Sequence, residues 1–307
     1  MTGPVREGDV VRLPDGRRAH LWQGGAASGP AVFFFHGCPD TRLAARPGDD
    51  AAGRVGVRLV AVSRPGYGQS DTAASDHLSV ADDTAAVADL LGIESYAVLG
   101  MSVGGPYALA CAARHPDRVT AAGVVAAPAL VPALDPPWHR DDLSPDQQQF
   151  IAGLAASSID EIVERMRPEF EQYVARVAPR DPDDAALVAR WLEGQHALDV
   201  PLLEALPVAD VAEQARESIG RTDGYLRDAA VTFRAWDYRP DDVRCPVFLW
   251  YGDRDRQVSL RNADWLRDHL LDATLAVREG SAHLGTLWNH WDEMLTTLRR
   301  AAPAASR

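Results

Sequence analysis

Nearly continuous apolar runs recur along the chain: AVFFF (31–35), RLVAVS (58–63), SYAVLG (95–100), TAAGVVAA (120–127) and PVFLWYG (246–252). Runs of this length without polar alternation predict strands buried on both faces, as in a parallel sheet. VADDTAAVADLLG (80–92) and VGGPYALACAARHP (103–116) instead carry apolar residues at helical spacing. The first ends in glycine and the second before proline, both common helix stops. Strand and helix therefore alternate, which predicts parallel βαβ units. Ahead of them, VVRLP (10–14) and RAHLWQ (18–23) flank Asp15-Gly16, a hairpin-turn dipeptide. A further helix is predicted over 261–271 and a strand over 274–278.

The alternation breaks near Pro128. From about 129 to 235 no strand pattern is present, and four or five helices with proline-rich joints are expected. The predicted organisation is a core domain of residues 1–128 and 241–307 with a helical cap, or lid, at 129–240. Apart from the short tail AAPAASR, no repeat or low-complexity block interrupts this plan.

Composition narrows the function. With 307 residues and 46% hydrophobic content, the chain can bury a substantial core. Its net charge is −13, opposite to the basic face of nucleic-acid binders, so no nucleic-acid partner is expected. Segment 129–240 contributes 21 acidic and 11 basic residues, which is most of that imbalance. All 31 basic residues are arginine, which excludes Schiff-base and P-loop chemistry, since both need lysine. Cys38, Cys111 and Cys245 form no metal-ligand spacing and no disulfide framework, as expected in a reducing compartment. The N-terminus MTGPVREGDVV lacks an apolar leader core, and no run reaches membrane-spanning length. A cytoplasmic protein without membrane partner, metal or cofactor is expected, with homo-oligomerisation left open.

The chemistry concentrates at strand ends. SYAVLG runs into Gly100-Met101-Ser102-Val103-Gly104 and then a helix. A serine on so sharp a turn needs glycine two residues to either side, and the turn puts its hydroxyl at a helix N-terminus. Ser102 is the predicted nucleophile. FFFHGCPD (33–40) ends another strand. The backbone N–H groups of Cys38 and Val103 are predicted oxyanion donors, each worth about 3 kcal/mol of barrier. His36 is expected to brace this loop; the rival roles, His36 as base or Cys38 as nucleophile, are less favoured. After PVFLWYG come Asp253 and Asp255, of which Asp255 is favoured to orient a catalytic imidazole and Asp253 is the reserve. Of nine histidines, His283 in VREGSAHLGTL is the predicted base. It gives the order Ser, Asp, His; His290 is a weaker candidate on the same predicted helix.

These motifs together resemble the α/β-hydrolase superfamily over nearly the whole chain, most of all its ester- and amide-cleaving branch with a helical cap. SRPGYGQSD (63–71) and DYRPDDVRCPVFLWYGDRD (237–255) are also similar to that branch. The resemblance implies a mostly parallel sheet flanked by helices and an acid at the third position after the glycine, which is Asp255. Two positions depart from the pattern: Ser259 replaces a usual proline and Ala282 a usual glycine. Cys38 stands where iminopeptidase relatives carry glycine. Epoxide-hydrolase and dehalogenase relatives need an aspartate nucleophile, where this chain has Ser102.

The expected reaction is hydrolysis of a carboxylic ester, lactone or thioester of a small, mainly apolar substrate through an acyl-enzyme. Amide, peptide or C–C bond cleavage on the same triad is the alternative, and a non-catalytic ligand receptor the rival from another class. An aminopeptidase would need a cap carboxylate such as Glu193 or Glu204. Met101, Trp138, Phe150 and Trp191 are candidate substrate contacts, drawn with Met166, Phe170 and Tyr173 from the apolar residues near the site and in the cap.

Overall fold

A computed structural model of the chain describes residues 10–154 and 156–301. The leader-free N-terminal reading at 1–9 and the tail AAPAASR beyond its first alanine fall outside them. Eight strands form one sheet: β1 (Val10–Arg12), β2 (Arg18–Gly25), β3 (Ala31–Phe35), β4 (Arg58–Ser63), β5 (Tyr96–Met101), β6 (Val119–Val125), β7 (Val247–Gly252) and β8 (Ala273–Arg278). Their order is β1-β2-β4-β3-β5-β6-β7-β8. β1, β2 and β4 pair antiparallel, and every later pairing is parallel. The central strands are apolar on both sides because both sides are covered. Phe33, Phe35 and Val98 pack into the core on one face, and Phe34, Leu99 and Val125 into the core on the other. All five long apolar runs are strands, each within two residues of its predicted limits.

The segment between β6 and β7 holds six α-helices among the described residues, where four or five were expected. The extra count comes from prolines. Pro201 opens the five-residue helix Val200–Glu204, and Pro207 caps the next, Val208–Ile219, so one apparent helical stretch is two. These helices pack on one another through Phe170, Leu187, Trp191, Val211 and Leu226.

Two further differences lie in the core. Residues 41–57, left unassigned by the apolar pattern, form a 3-10 turn (Arg42–Gly48) and a short helix (Asp49–Val55); Pro47 and Gly53 interrupt the periodicity that would have revealed them. His283 and His290 do not share a helix. His283 begins the helix His283–Trp288, the helix stops at Asn289-His290, and a second helix, Trp291–Ala301, follows. No helix among the described residues is long and apolar enough to cross a membrane.

Candidate active site

β5 delivers Ser102 in the left-handed region, at φ 53°. That conformation costs a non-glycine residue about 1–3 kcal/mol and persists only where its surroundings enforce it. Here they do. A Cβ on Gly100 would lie 2.3 Å from the Gly104 carbonyl oxygen, and one on Gly104 would lie 2.1 Å from that of Phe35. Both glycines are therefore required by close backbone approach. The Ser102 amide donates to the Val125 carbonyl at 2.8 Å, and the helix Gly104–Arg114 starts two residues on.

The loop after β3 lies against this turn; a Cβ on Gly37 would come 3.4 Å from Ser102 Cβ. Its shape is set by His36. The ring's Nδ1 stands 2.8 Å from the Gly37 carbonyl and its Nε2 accepts from the Arg64 amide at 3.1 Å. Burial, reinforced by the Arg64 charge, pushes the ring well below the ordinary imidazole pKa. A neutral imidazole with both nitrogens engaged braces the loop and has no lone pair left to act as base. Arg64 donates to the carbonyls of His36 and Gly37 at 2.6 and 2.8 Å, and pairs with Asp228 of the helix Asp223–Thr232 at 2.7 Å. Tyr67 and Tyr107 donate to the same carboxylate at 2.9 and 2.8 Å. This buried, satisfied network ties the loop to the insert.

Burial raises the Cys38 thiol far above its usual pKa, so little thiolate forms and the sulfur is a poor nucleophile. Among the described residues, no protein group accepts from the backbone N–H of Cys38 or Val103. Both residues border the space beside Ser102.

At the end of β7 the chain turns so that Asp255 Oδ1 accepts from the amides of Gln257 and Val258 at 2.7 and 3.0 Å. Its Oδ2 lies 2.7 Å from His283 Nδ1, with the Asp255 side chain fully buried. Burial opposes ionisation of Asp255, yet the imidazole and the backbone donors outweigh it and lower its pKa. Burial likewise disfavours the charged His283 ring, but the Asp255 carboxylate, with help from Asp199, raises its pKa overall; Arg140 pulls the other way. With Nδ1–H given to Asp255, Nε2 is the ring's acceptor. His283 and Ser102 border the same cavity of about 420 Å³.

The reserve candidates stand elsewhere. Asp253 Oδ1 accepts from the Gly280 amide at 2.7 Å, a turn-closing bond, and His290 faces Glu293 at 4.0 Å. Met101 and Trp191 border the cavity of Ser102 and His283, and Tyr173 joins them. Trp138 and Met166 border a second cavity, of about 200 Å³, which also reaches Ser102. Phe150 is not brought to either. It is 47% exposed on the helix Pro145–Leu154, whose apolar face is spent on Ile151 and Leu154. Phe170 is spent on packing, stacked on Tyr225 at 3.7 Å, and Glu193 and Glu204 are exposed, outside both linings.

One residue escaped the sequence reading. Asp199, only 1% exposed, accepts from the amides of Leu284 and Gly285 at 3.1 and 2.9 Å. It thus caps the helix that begins with His283, whose own cap, Ala282, offers no side-chain bond. Next to Val200-Pro201, an aspartate reads as the N-cap of its own helix; nothing local signals a partner 85 residues away.

The family described as alpha/beta hydrolase fold matches residues 30–290. The chain belongs to this family. It is similar to pimeloyl-[acyl-carrier protein] methyl ester esterase of Chromobacterium violaceum, 28% identical over 273 residues that cover 86% of this chain and 91% of the relative. An epoxide hydrolase of Caballeronia sordidicola is 30% identical over 198 residues, 63% of this chain and 55% of the relative. Among solved structures, a thermophilic esterase of Thermogutta terrifontis superposes with a TM-score of 0.65 at 17% identity, covering 96% of this α/β hydrolase and all (100%) of the esterase.

Proposed function

We propose that this α/β hydrolase is a serine ester hydrolase, with Ser102 as nucleophile, His283 as general base and acid, and Asp255 as the group that orients the ring and stabilises its charged form. The observation that carries the reading is the 2.7 Å Asp255–His283 pair opening onto the cavity that also holds a left-handed Ser102. In the first half-reaction His283 Nε2 takes the Ser102 proton, Oγ bonds to the acyl carbon, and the oxyanion is held by the N–H groups of Cys38 and Val103. The acyl–oxygen bond to the alcohol then breaks, and His283 returns the proton to the departing oxygen. In the second half water gives its proton to His283, its oxygen bonds to the acyl carbon, and Ser102 Oγ leaves with that proton.

Ester chemistry is favoured over the alternatives by the esterase relatives. Those relatives are also similar to this chain over most of their own length, whereas the epoxide hydrolase is covered only in part. In this reading residues 129–240 form the cap over a core of 1–128 and 241–307. A mainly apolar substrate suits only the smaller cavity. Steady-state kinetics with p-nitrophenyl butyrate test the proposal. Ser102→Ala is expected to lower kcat by about 10⁴-fold or more. A variant that keeps the wild-type rate overturns it.

A further inference from the structure

Two cavities meet at Ser102, and they differ in which catalytic groups border them. Cys38, Ser102, Arg140 and Gln257 border both. Val103 borders only the smaller, and His283 only the larger. Because His283 delivers the proton to the departing oxygen, that oxygen must stand on the side of the ring. The acyl chain is then left with the smaller cavity. We propose that the substrate joins a short apolar acid to a hydroxyl-rich alcohol, with the acyl chain in the smaller cavity and the polyol in the larger. The proposal rests on the Ser102–His283 reading above and adds to it a direction and a leaving-group class.

The walls match this division. In the smaller cavity Trp138 stacks flat on Phe233, with centroids 5.4 Å apart and planes 9° apart, and Met166, Ala229 and Val258 extend the apolar surface, with Arg140 and Gln257 shared with the larger cavity. The larger cavity is polar. Gln195 and Arg256, which border it alone, and Gln257 and Arg140, which stand where the two cavities meet, make no side-chain hydrogen bond or ion pair with another described residue. Asp40 uses Oδ1 for Gln214 and the Thr41 amide, at 2.9 and 2.8 Å, and no described residue engages its Oδ2. Two guanidinium groups and the carboxyls of Asp40 and Asp142, the former with its pKa raised by burial to about 6, share this lining, so neither sign of charge is in large excess. It offers donors and acceptors side by side, the complement of hydroxyl groups, each of which both donates and accepts. Trp191, Trp288 and Tyr173 add flat apolar surface for the carbon faces of such an alcohol.

The test uses a pair of esters reversed about the carbonyl: glucose butyrylated on its primary hydroxyl, and the butyl ester of gluconic acid. The butyryl sugar is expected to show a kcat/KM about tenfold or more above the reversed ester, the equivalent of one or two net hydrogen bonds. Gln195→Ala and Arg256→Ala are expected to raise KM for the butyryl sugar more than for ethyl butyrate. Met166→Trp, which fills the smaller cavity, is expected to penalise butyryl more than acetyl glucose. Equal or faster cleavage of the gluconate ester overturns the proposal. So does an enzyme that turns over p-nitrophenyl butyrate but neither sugar ester, and in that case the Ser102 reading survives. Failure on p-nitrophenyl butyrate as well removes both.

Discussion

The two sides of the cleft at Ser102 are built on different principles. On the sheet side, backbone contact decides everything: Ser102 is left-handed because Gly100 and Gly104 let three chain segments touch, and Asp255 is held by two amides of its own turn. On the insert side, helices and the segments joining them contribute single side chains such as Asp199, Arg140 and Trp191, whose positions depend on how the insert packs. Chemistry built on backbone tolerates little substitution, whereas substitutions in a side-chain wall adjust the reaction without abolishing it. The two sides meet at His283, which takes its orientation from Asp255 and part of its charge environment from Asp199 and Arg140.

Substitutions on the sheet side should therefore have the largest effects. Asp255→Asn keeps the shape but removes the charge and the acceptor for Nδ1–H, and kcat on p-nitrophenyl butyrate is expected to fall about 10⁴-fold. Gly104→Ala drives a Cβ against the Phe35 carbonyl and shifts the turn; a loss of about 10²-fold in kcat, with a lowered Tm, is expected from displacing the nucleophile by a fraction of an ångström. If either variant were near wild type, the sheet side would not be the rigid partner described here.

Insert-side charges should tune the reaction, in opposite directions. The base must be neutral to act, so kcat/KM falls as pH drops through the His283 pKa, which lies above that of an ordinary imidazole. Asp199→Asn removes a charge that raises this pKa and leaves one helix amide without an acceptor. It is expected to move the acid limb of the profile to lower pH and to cost about tenfold in kcat/KM near neutrality. Arg140→Gln removes a charge that lowers the pKa, so the limb should move to higher pH with a smaller change in rate. Limbs that move in the same direction would show that these two charges do not act on the base with opposite sign, and limbs that stay in place that the insert does not act on it.

This contrast also explains what could be read from the chain alone. The long apolar runs, the Gly-x-Ser-x-Gly turn and the Ser, Asp, His order are local, because backbone geometry restricts residue type at fixed spacings. That is why Ser102, Asp255 and His283 stood out as candidates; the structure brings Asp255, and not Asp253, to the His283 ring. Phe150 was misplaced because an aromatic on an amphipathic helix does not say which face the fold will bury. Asp199 was missed because its contact joins distant segments, and the polar wall of the larger cavity was missed because it assembles residues from both sides. The helix break at Asn289-His290 carried no proline or glycine to announce it.

The central claim is that residue 102 carries an activated hydroxyl. Intact-protein and peptide mass measurement after exposure to a fluorophosphonate tests it most directly. One covalent equivalent on the peptide containing Ser102, absent from Ser102→Ala and strongly slowed in His283→Ala, is the predicted result. A folded wild-type protein that takes up no label, or takes it up equally well without the Ser102 hydroxyl, would contradict the account.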